Sequence, residues 1–469
     1  MNRIKQLTIL LGDLLLFYIS LYFAISLRLL NFKTLNTFLS LVSAMSLLFI
    51  VGLVIFFIIG LYDLSQSKNN WQFYKKIVIS HFIWLLLGII FFYIRPQKDV
   101  SPKTILFFVT VLNIGFISLW RFLYNKFLST SILENKVIFL GLTPESLEIA
   151  ELINKEPQRG FEIIGIVEPE NPQFANQTLD EHFNTNLKLT IQTDLNKLLK
   201  ENNGKTSNLI IVMSPHLTSN NQILKDLYKK LFLDISIIDL SEFYEEITGR
   251  IPPFTFSEGW FLSNFKEQNK KIYDRFKLIV DYFFAILIGS IFIITLPLVS
   301  LAIKLSSNGS VFFTQIRSGK QDQTFKIYKY RTMKVLASDG SAELSGPEFA
   351  KDHDVRITFV GNFLRKTRLD EIPQFINILK GEMSLIGPRP ERPEVIKNLT
   401  EEMPFYKLRH LVKPGLSGWA QVQQGYTSAK DENLRKLEYD LYYIKNRGPL
   451  LDLNISLKTL NTIAKFGGK

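Results

Sequence analysis

Four long apolar runs near the start of the chain constrain its fold more than any other feature. They cover residues 7–30, 38–61, 77–94 and 105–123. Each approaches the roughly 17–25 residues that an α-helix needs to cross the hydrocarbon core of a bilayer. The first run is too long for a secretory signal and lacks a small-residue cleavage site, so we interpret it as retained. The sequence therefore predicts a domain of four transmembrane helices over residues 1–125.

One carboxylate interrupts this pattern. Asp13 lies inside the first apolar run, where a charge in contact with lipid is unfavourable. It has a role in function, or it pairs with a neighbouring helix, or it lies near the membrane interface. The short connections carry similar numbers of basic residues, so the positive-inside rule gives no orientation. An even number of spans still places the N-terminus and everything after residue 125 on one side of the membrane.

Composition narrows the class of function. A chain of 469 residues, 47% of them hydrophobic, is expected to hold two or three domains. It has no cysteine, which excludes disulfides and thiolate metal sites, and its five histidines form no ligand-like cluster, which argues against a zinc enzyme. The formal net charge of +12 favours nucleic acid, anionic lipid or a phosphorylated substrate as partner.

Residues 126–265 have the pattern of a soluble α/β domain. A helical pattern over 144–154 follows the first of several short apolar runs, which predict strands at 136–142, 163–167, 209–213 and 235–240. This alternation predicts a Rossmann-like doubly wound sheet. Only Gly141 of the dinucleotide fingerprint is in place, and Pro144 and Glu145 lie where a phosphate would bind. A structural, regulatory or oligomerising role is therefore favoured over nucleotide binding, and the polar stretch 171–186 is predicted to be a loop.

A fifth apolar element, over residues 282–303, differs from the first four because Pro297 lies deep within it. Proline in a helix interior removes a hydrogen bond and kinks the helix, at a cost of about 3 kcal/mol. This element either spans the membrane with a kink or enters it, breaks at Pro297 and returns to the same side. Its periodicity is compatible with both.

The segment RKTRLDEIPQFINILKGEMSLIGPRPE, residues 365–391, carries the strongest chemical signal. Adjacent carboxylates, Asp370 and Glu371, lie among basic residues that include Arg365 and Arg389. Cations can neutralise phosphoryl oxygens, one carboxylate can bind a divalent metal, and the other can attack phosphorus. The alternative is a surface helix start with ordinary ion pairs.

Two neighbouring patterns add to this signal. An alternating strand over 324–333 would direct Lys329 and Arg331 towards a phosphate or a lipid headgroup. Pro373 suits the first turn of a helix over 374–379, which would place the acidic pair near a helix N-terminus. The segment Gly-Pro-Arg-Pro at 387–390 is a rigid turn that would fix Arg389 for bidentate contact with a phosphate.

Four pieces in this order, FKIYKYRTM, FLRKTRLDEIPQFINILKGEMSLIGPRPE, VKPGLSGWAQV and KLEYDLYYI, resemble the bacterial sugar transferases, which are monotopic polyprenyl-phosphate phosphoglycosyl transferases. The resemblance covers about residues 273–469, and the preceding layout is similar to the long form of that family. It implies an α-rich catalytic domain over 266–469, with a re-entrant membrane helix at about 276–306 that breaks at Pro297.

The resemblance also implies a reaction. A sugar 1-phosphate would pass from a UDP-sugar to undecaprenyl phosphate with release of UMP, using Mg²⁺ and a covalent intermediate on Asp370. Glu371 would be the metal ligand, and Arg365 and Arg389 the phosphate-binding arginines. The implied site is the cytoplasmic face of the bacterial inner membrane, with membrane lipids but not nucleic acid as partners.

Several points follow from the same resemblance or stay open beside it. The reaction would initiate synthesis of an exopolysaccharide, capsule or O-antigen, with glucose or galactose favoured over N-acetylated sugars, and the protein could be a homodimer. A non-catalytic membrane scaffold for polysaccharide assembly is one alternative, which the intact acidic pair argues against. A membrane-anchored nucleotide-sugar dehydratase is another, but it would need an intact glycine fingerprint beside a Tyr-x-x-x-Lys pair, and the glycine pattern fails at Gly141.

Overall fold

The computed structural model describes residues 2–29, 35–64, 67, 69–94, 102–126, 135–170, 191–201, 208–230, 235–253, 258–265, 270–336, 354–403, 405–423 and 429–464. Two compact units divide the chain, Met1–Thr248 and Gly249–Lys469. The catalytic domain that the sequence predicts from residue 266 lies within the second unit. The predicted loop at 171–186 lies outside the described residues.

The first unit begins with long apolar helices, as the sequence predicts. They are α1 (Asn2–Leu29), α2 (Leu35–Ile59), α3 (Trp71–Ile94) and α4 (Pro102–Leu123). All of them are long and apolar enough to cross a membrane. Aromatic side chains such as Phe17, Phe49 and Trp84 are buried between the helices, whereas many leucines and isoleucines point outwards, as lipid contact requires.

Asp13 has a partner on a neighbouring helix. Its Oδ2 accepts a hydrogen bond from Nη2 of Arg121 on α4 at 2.6 Å, and both side chains are fully buried. Arg121 also donates to the carbonyl oxygen of Leu61 at 3.1 Å. Pairing between helices, one of the explanations that the sequence left open, therefore accounts for this charge in an apolar segment.

A five-stranded parallel sheet follows the helices and confirms the predicted α/β character. Its strands lie in the order β3-β2-β1-β4-β5. They are β1 (Asn135–Leu140), β2 (Phe161–Val167), β3 (Ile191–Gln192), β4 (Leu209–Met213) and β5 (Ile235–Asp239), and the helices between or after them are α5 (Pro144–Lys155), α6 (Leu195–Glu201), α7 (Asn221–Lys230) and α8 (Leu240–Thr248). Apolar clusters cover both faces of this sheet, which parallel strands require.

The turn between β1 and α5 is satisfied by the protein's own groups. The backbone N–H of Leu142 donates to Oε2 of Glu168, a buried carboxylate just beyond β2, at 2.8 Å. Thr143 and Ser146 form a capping box at the start of α5. In a dinucleotide-binding domain such N–H groups face a pyrophosphate. Here they are used internally, which argues against a bound pyrophosphate, and a structural, regulatory or oligomerising role stays a prediction.

The second unit is organised around one long helix. It contains α9 (Glu258–Asn264) and then α10, a single helix of 36 residues from Lys271 to Ser306 with Pro297 inside it. At 1.5 Å per residue α10 is about 54 Å long, which exceeds a bilayer's hydrocarbon thickness of about 30 Å. Most of its apolar side chains are exposed. Re-entry at Pro297 stays a prediction.

Shorter elements follow α10, and some of them pack on its buried face. They are the antiparallel hairpin β6 (Phe312–Ser318) and β7 (Thr324–Tyr330), helices α11 (Phe359–Lys366), α12 (Phe375–Leu379) and α13 (Pro393–Glu402), the parallel pair β8 (Ser384–Ile386) and β9 (Gly415–Ser417), and helices α14 (Trp419–Gln423), α15 (Ala429–Asn446) and α16 (Pro449–Ala464). Gly289 permits the close approach of α10 to α12, since a Cβ there would lie 2.8 Å from the Phe375 ring. This packing places the residues between α11 and β8 beside β7.

Candidate active site

The acidic pair lies in a single 3-10 turn, Leu369–Gln374, between α11 and α12. Arg368 precedes the turn in a left-handed conformation with φ of 58°, which redirects the chain after α11. Helix α12 begins at Phe375. The sequence predicted that Pro373 lies in the first turn of this helix, but the structure places it in the 3-10 turn before the helix. Both carboxylates are buried and face β7.

Three cations converge on Glu371. Its Oε1 accepts hydrogen bonds from Lys329 Nζ at 2.8 Å and from Arg389 Nη2 at 3.2 Å, and its Oε2 accepts one from Arg368 Nη1 at 3.3 Å. Burial alone would raise the pKa of Glu371, but the attraction of these three charges outweighs it and holds the pKa below its usual range. Glu371 is therefore ionised throughout the physiological range.

Asp370 is in the opposite situation. Burial, reinforced by the neighbouring charge of Glu371, raises the pKa of Asp370 to about 6, although Lys329 and Arg365 oppose this shift. Its Oδ1 is buried and accepts no hydrogen bond from the described part of the chain. A carboxylate oxygen without a donor has no interaction to give up before it attacks an electrophile. The arrangement suits a nucleophile at Asp370 and a fixed negative charge at Glu371.

Arg365 is held beside this pair. It lies in the last turn of α11, and its Nε donates to the Thr332 hydroxyl oxygen at 3.0 Å. Burial lowers the pKa of Arg365, and the charge of Asp370 opposes this. Sequence reasoning placed Arg365 near the acidic pair, and the structure brings the two together.

Arg331 faces a different neighbour from Lys329. Its guanidinium donates to the carbonyl oxygens of Ser307, at 2.8 Å, and Asn308, just beyond the C-terminus of α10. Gly309 makes room for it, since a Cβ there would lie 2.2 Å from Arg331 Nη1. Phosphate binding by Arg331 stays a prediction, whereas its contact with the carbonyls that follow α10 is present in the structure.

The side chain of Arg389 reaches the acidic pair from the turn 387–390. Its side chain is 41% exposed overall, and its Nη2 contacts Oε1 of Glu371 at 3.2 Å. A small, open depression lies next to it, with Arg409 and His410 among its lining residues.

Two positioning contacts were not predicted from the sequence. Arg368 was counted only as one of several basic residues, and its contact with Glu371 depends on its positive φ. Asn377 is fully buried; its side chain donates to the Lys326 carbonyl oxygen at 2.7 Å and accepts from the Tyr328 N–H at 3.2 Å. It thereby fixes α12 against β7, and a polar residue within the apolar FINIL stretch was the only sequence signal for it.

The acidic pair is compatible with a hard divalent cation, but it does not form a complete metal site. Within the described residues, no group of three or more histidine and acidic side chains could hold a metal ion. Mg²⁺ commonly binds one or two carboxylates together with substrate phosphates and waters. The two adjacent carboxylates are ligands of the kind that this mode of binding uses.

Comparison with known proteins identifies the second unit. Residues 272–466 match the model of the family described as bacterial sugar transferase. The UDP-N-acetylgalactosamine-undecaprenyl-phosphate N-acetylgalactosaminephosphotransferase of Aeromonas hydrophila is 41% identical over 236 residues, which cover 50% of this chain but only 54% of that protein.

Two further relatives extend the similarity. A UDP-glucose:undecaprenyl-phosphate glucose-1-phosphate transferase of Klebsiella pneumoniae is 29% identical over 88% of this chain and 87% of its own length. A protein of the same name from Caulobacter vibrioides is 36% identical over 40% of this chain and 70% of its own length. The Klebsiella match extends well beyond the family segment and supports the long form predicted from the sequence. The chain belongs to the bacterial sugar transferase family.

Proposed function

We propose that this protein transfers a sugar 1-phosphate from a UDP-sugar to undecaprenyl phosphate, releasing UMP and initiating synthesis of a surface polysaccharide. The names of its relatives support this reaction. The observation that carries it is the contrast within the acidic pair: Glu371 is held by three cations, whereas Asp370 Oδ1 accepts no hydrogen bond from the residues that the structure describes.

The reaction proceeds in two displacements at phosphorus. Asp370 attacks the β-phosphorus of the UDP-sugar, a new bond forms between its carboxylate oxygen and phosphorus, and the bond to the bridging oxygen breaks, so UMP leaves with that oxygen. A phosphate oxygen of undecaprenyl phosphate then attacks the same phosphorus and displaces the Asp370 carboxylate. The product is the diphosphate-linked sugar, and the enzyme returns to its starting form. Covalent catalysis thus divides one difficult transfer into two easier ones.

The surrounding cations prepare the site for a diphosphate. Arg389 and Lys329 lie where they can bind phosphoryl oxygens while they orient Glu371, and Arg365 lies beside Asp370. We assign phosphate binding to Arg365, Arg389, Lys329 and Arg331. Mg²⁺ would be held by Glu371 together with donor phosphate oxygens, and it would neutralise charge on the departing UMP.

A direct assay tests this proposal. Purified protein in nanodiscs is supplied with undecaprenyl phosphate, Mg²⁺ and, in turn, the UDP derivatives of glucose, galactose, N-acetylglucosamine and N-acetylgalactosamine, and UMP release is measured. The relatives are named for both glucose and N-acetylgalactosamine transfer, so both donor classes are included. Release with one donor supports the function and identifies the sugar. No release with any donor from folded protein would contradict it.

The pH dependence of the first displacement follows from the environment of Asp370. Its pKa is raised to about 6, and only the ionised carboxylate attacks, so the rate is expected to fall as pH drops below that value, approaching tenfold per unit. Donor-dependent UMP release without acceptor, at saturating Mg²⁺, measures this step. A rate that stays constant between roughly pH 5 and 7 would show that Asp370 does not limit it.

We place the second unit on the cytoplasmic face of the inner membrane, with α10 re-entering at Pro297. Single cysteines introduced just before and just after α10 are expected to react with an impermeant thiol reagent from the same side. The natural chain has no cysteine, so there is no background labelling to remove. The control is Pro297→Leu, which removes the proline that is expected to break the helix and so favours a straight span. Labelling of the natural helix from opposite sides would show a full span.

A further inference from the structure

The turn that carries Arg389 is held from outside through four consecutive carbonyl oxygens. Proline has no N–H, so a turn with two prolines has few donors of its own. The carbonyl of Pro388 accepts from the Gly415 N–H at 2.9 Å, and that of Glu391 accepts from the Ser318 N–H at 3.0 Å. Between them, Pro390 accepts from Arg317 Nη1 at 3.0 Å and Arg389 accepts from Arg409 Nη2 at 3.0 Å.

Arg409 connects this turn to helix α15. Its Nε donates to Oδ2 of Asp440 at 2.8 Å, its Nη1 donates to the Tyr406 hydroxyl oxygen, and its Nη2 reaches the carbonyl of Arg389. A guanidinium presents its donors in a rigid fork, so the position of Asp440 fixes the direction of the bond to Arg389. One side chain thus transmits the position of a helix to the backbone of a residue in the site.

The pair is buried more deeply than a surface ion pair. The side chains of Arg409 and Asp440 are 5% and 2% exposed. Burial raises the pKa of Asp440 to about 6, against the opposing charge of Arg409. Replacement of such a pair by apolar residues is often neutral or stabilising in other proteins. Stability alone therefore does not account for a charged pair at this position, and its contact with the turn does.

The side chain of Arg389 continues the same chain of contacts. From the backbone that Arg409 holds, it extends to Oε1 of Glu371 at 3.2 Å, next to Asp370. We propose that Arg409 and Asp440 are positioning residues that fix the backbone of Arg389, so that its guanidinium lies at the acidic pair and at the donor diphosphate. This inference rests on the function proposed above.

The test uses Arg409→Gln, which is shorter and uncharged and cannot bridge Asp440 and the Arg389 carbonyl together. The expected result is a rise of about tenfold or more in the KM for the UDP-sugar with a smaller change in kcat, since small displacements of a binding group have effects of this size. Because Arg409 acts through Arg389, adding Arg409→Gln to Arg389→Ala is expected to raise the KM no further. A merely structural role predicts additive losses instead.

A second buried ion pair on the same helix provides a matched control. Arg250 donates to Glu438 of α15 at 2.8 Å, and these side chains are 5% and 9% exposed, but the bond does not reach the turn. Arg250→Gln is expected to lower the Tm by a similar amount and to leave the donor KM unchanged. Asp440→Asn, which keeps the size of the side chain, is also expected to raise the KM for the UDP-sugar. If Arg409→Gln does not fold, Asp440→Asn is combined with Arg389→Ala in its place.

The outcomes separate the two proposals. If the natural protein releases no UMP with any donor, the proposed function fails. If it does release UMP but Arg409→Gln or Asp440→Asn leaves the donor KM unchanged, the positioning role is wrong and the function stands. Equal changes in KM for Arg250→Gln and Arg409→Gln, or full additivity with Arg389→Ala, would also overturn the positioning role.

Discussion

Asp370→Asn is expected to abolish UMP release, with a loss of roughly 10⁴-fold or more. The amide has nearly the size of the carboxylate but no negative charge, and it is a poor nucleophile towards phosphorus. Asp370 Oδ1 has no donor within the described part of the chain, so the substitution breaks no bond at that atom. The three cations around Glu371 remain, and donor binding is therefore expected to survive while the first displacement is lost.

A second readout and a matched control variant make this result specific. Mass spectrometry of the natural protein with donor alone is expected to show a phosphosugar adduct on Asp370, which the variant lacks. The matched control is Asp226→Asn, the same chemical change at a carboxylate on α7 that is 53% exposed. UMP release near the natural rate from folded Asp370→Asn protein would exclude Asp370 as the nucleophile.

The long and regular elements of this fold could be predicted because their signals are local. Each apolar run of the first unit marks one long helix, and runs of β-branched residues mark β1, β2, β4 and β5. The two-residue strand β3, Ile191–Gln192, was missed. It exists only because it pairs with Ile166 and Val167, and two residues are too few to show a period. The ion pair of Asp13 was anticipated as a class of contact, but its partner, Arg121, is far away in sequence.

The site residues differ in the same way: some are apparent from the local sequence, and others only from tertiary contacts. Asp370, Glu371 and Arg389 were found together because one segment carries them, and the contact of Lys329 with Glu371 fits its prediction as a site residue. Strand alternation places Lys329 and Arg331 on one face of the hairpin, but it does not say what packs there. Lys329 meets a carboxylate, whereas Arg331 meets the carbonyls beyond the end of α10. Only the tertiary structure distinguishes the two.

The opposite pKa shifts of the acidic pair come from this tertiary arrangement. Adjacent carboxylates in a peptide differ little, yet here three cations contact one of them, and burial governs the other. This difference favours Asp370 as the proposed nucleophile more directly than the order of residues does. The arrangement also predicts that the pKa of each carboxylate depends on the charge of the other.

Glu371→Gln is expected to reduce UMP release by about 10²- to 10³-fold, the loss typical when one electrostatic group of a site is removed. The neutral amide leaves Lys329, Arg368 and Arg389 without their shared anion, so their positions relax. If Glu371 also binds Mg²⁺, the concentration of Mg²⁺ at half-maximal rate is expected to rise. Glu151→Gln, the same change at a carboxylate on α5 that pairs with Lys155 at 3.0 Å in the first unit, is the control.

A second signature separates the charge of Glu371 from its role as a metal ligand. The negative charge of Glu371 is one cause of the raised pKa of Asp370, so its removal is expected to move the acid limb of the residual UMP release to lower pH. A pure metal ligand would change the Mg²⁺ requirement and leave that limb in place at saturating Mg²⁺. A pure organiser of cations would move the limb without changing the Mg²⁺ requirement. If neither quantity changes and the rate stays near that of the natural protein, Glu371 has no part in the reaction, and the three cations gathered on it serve stability alone.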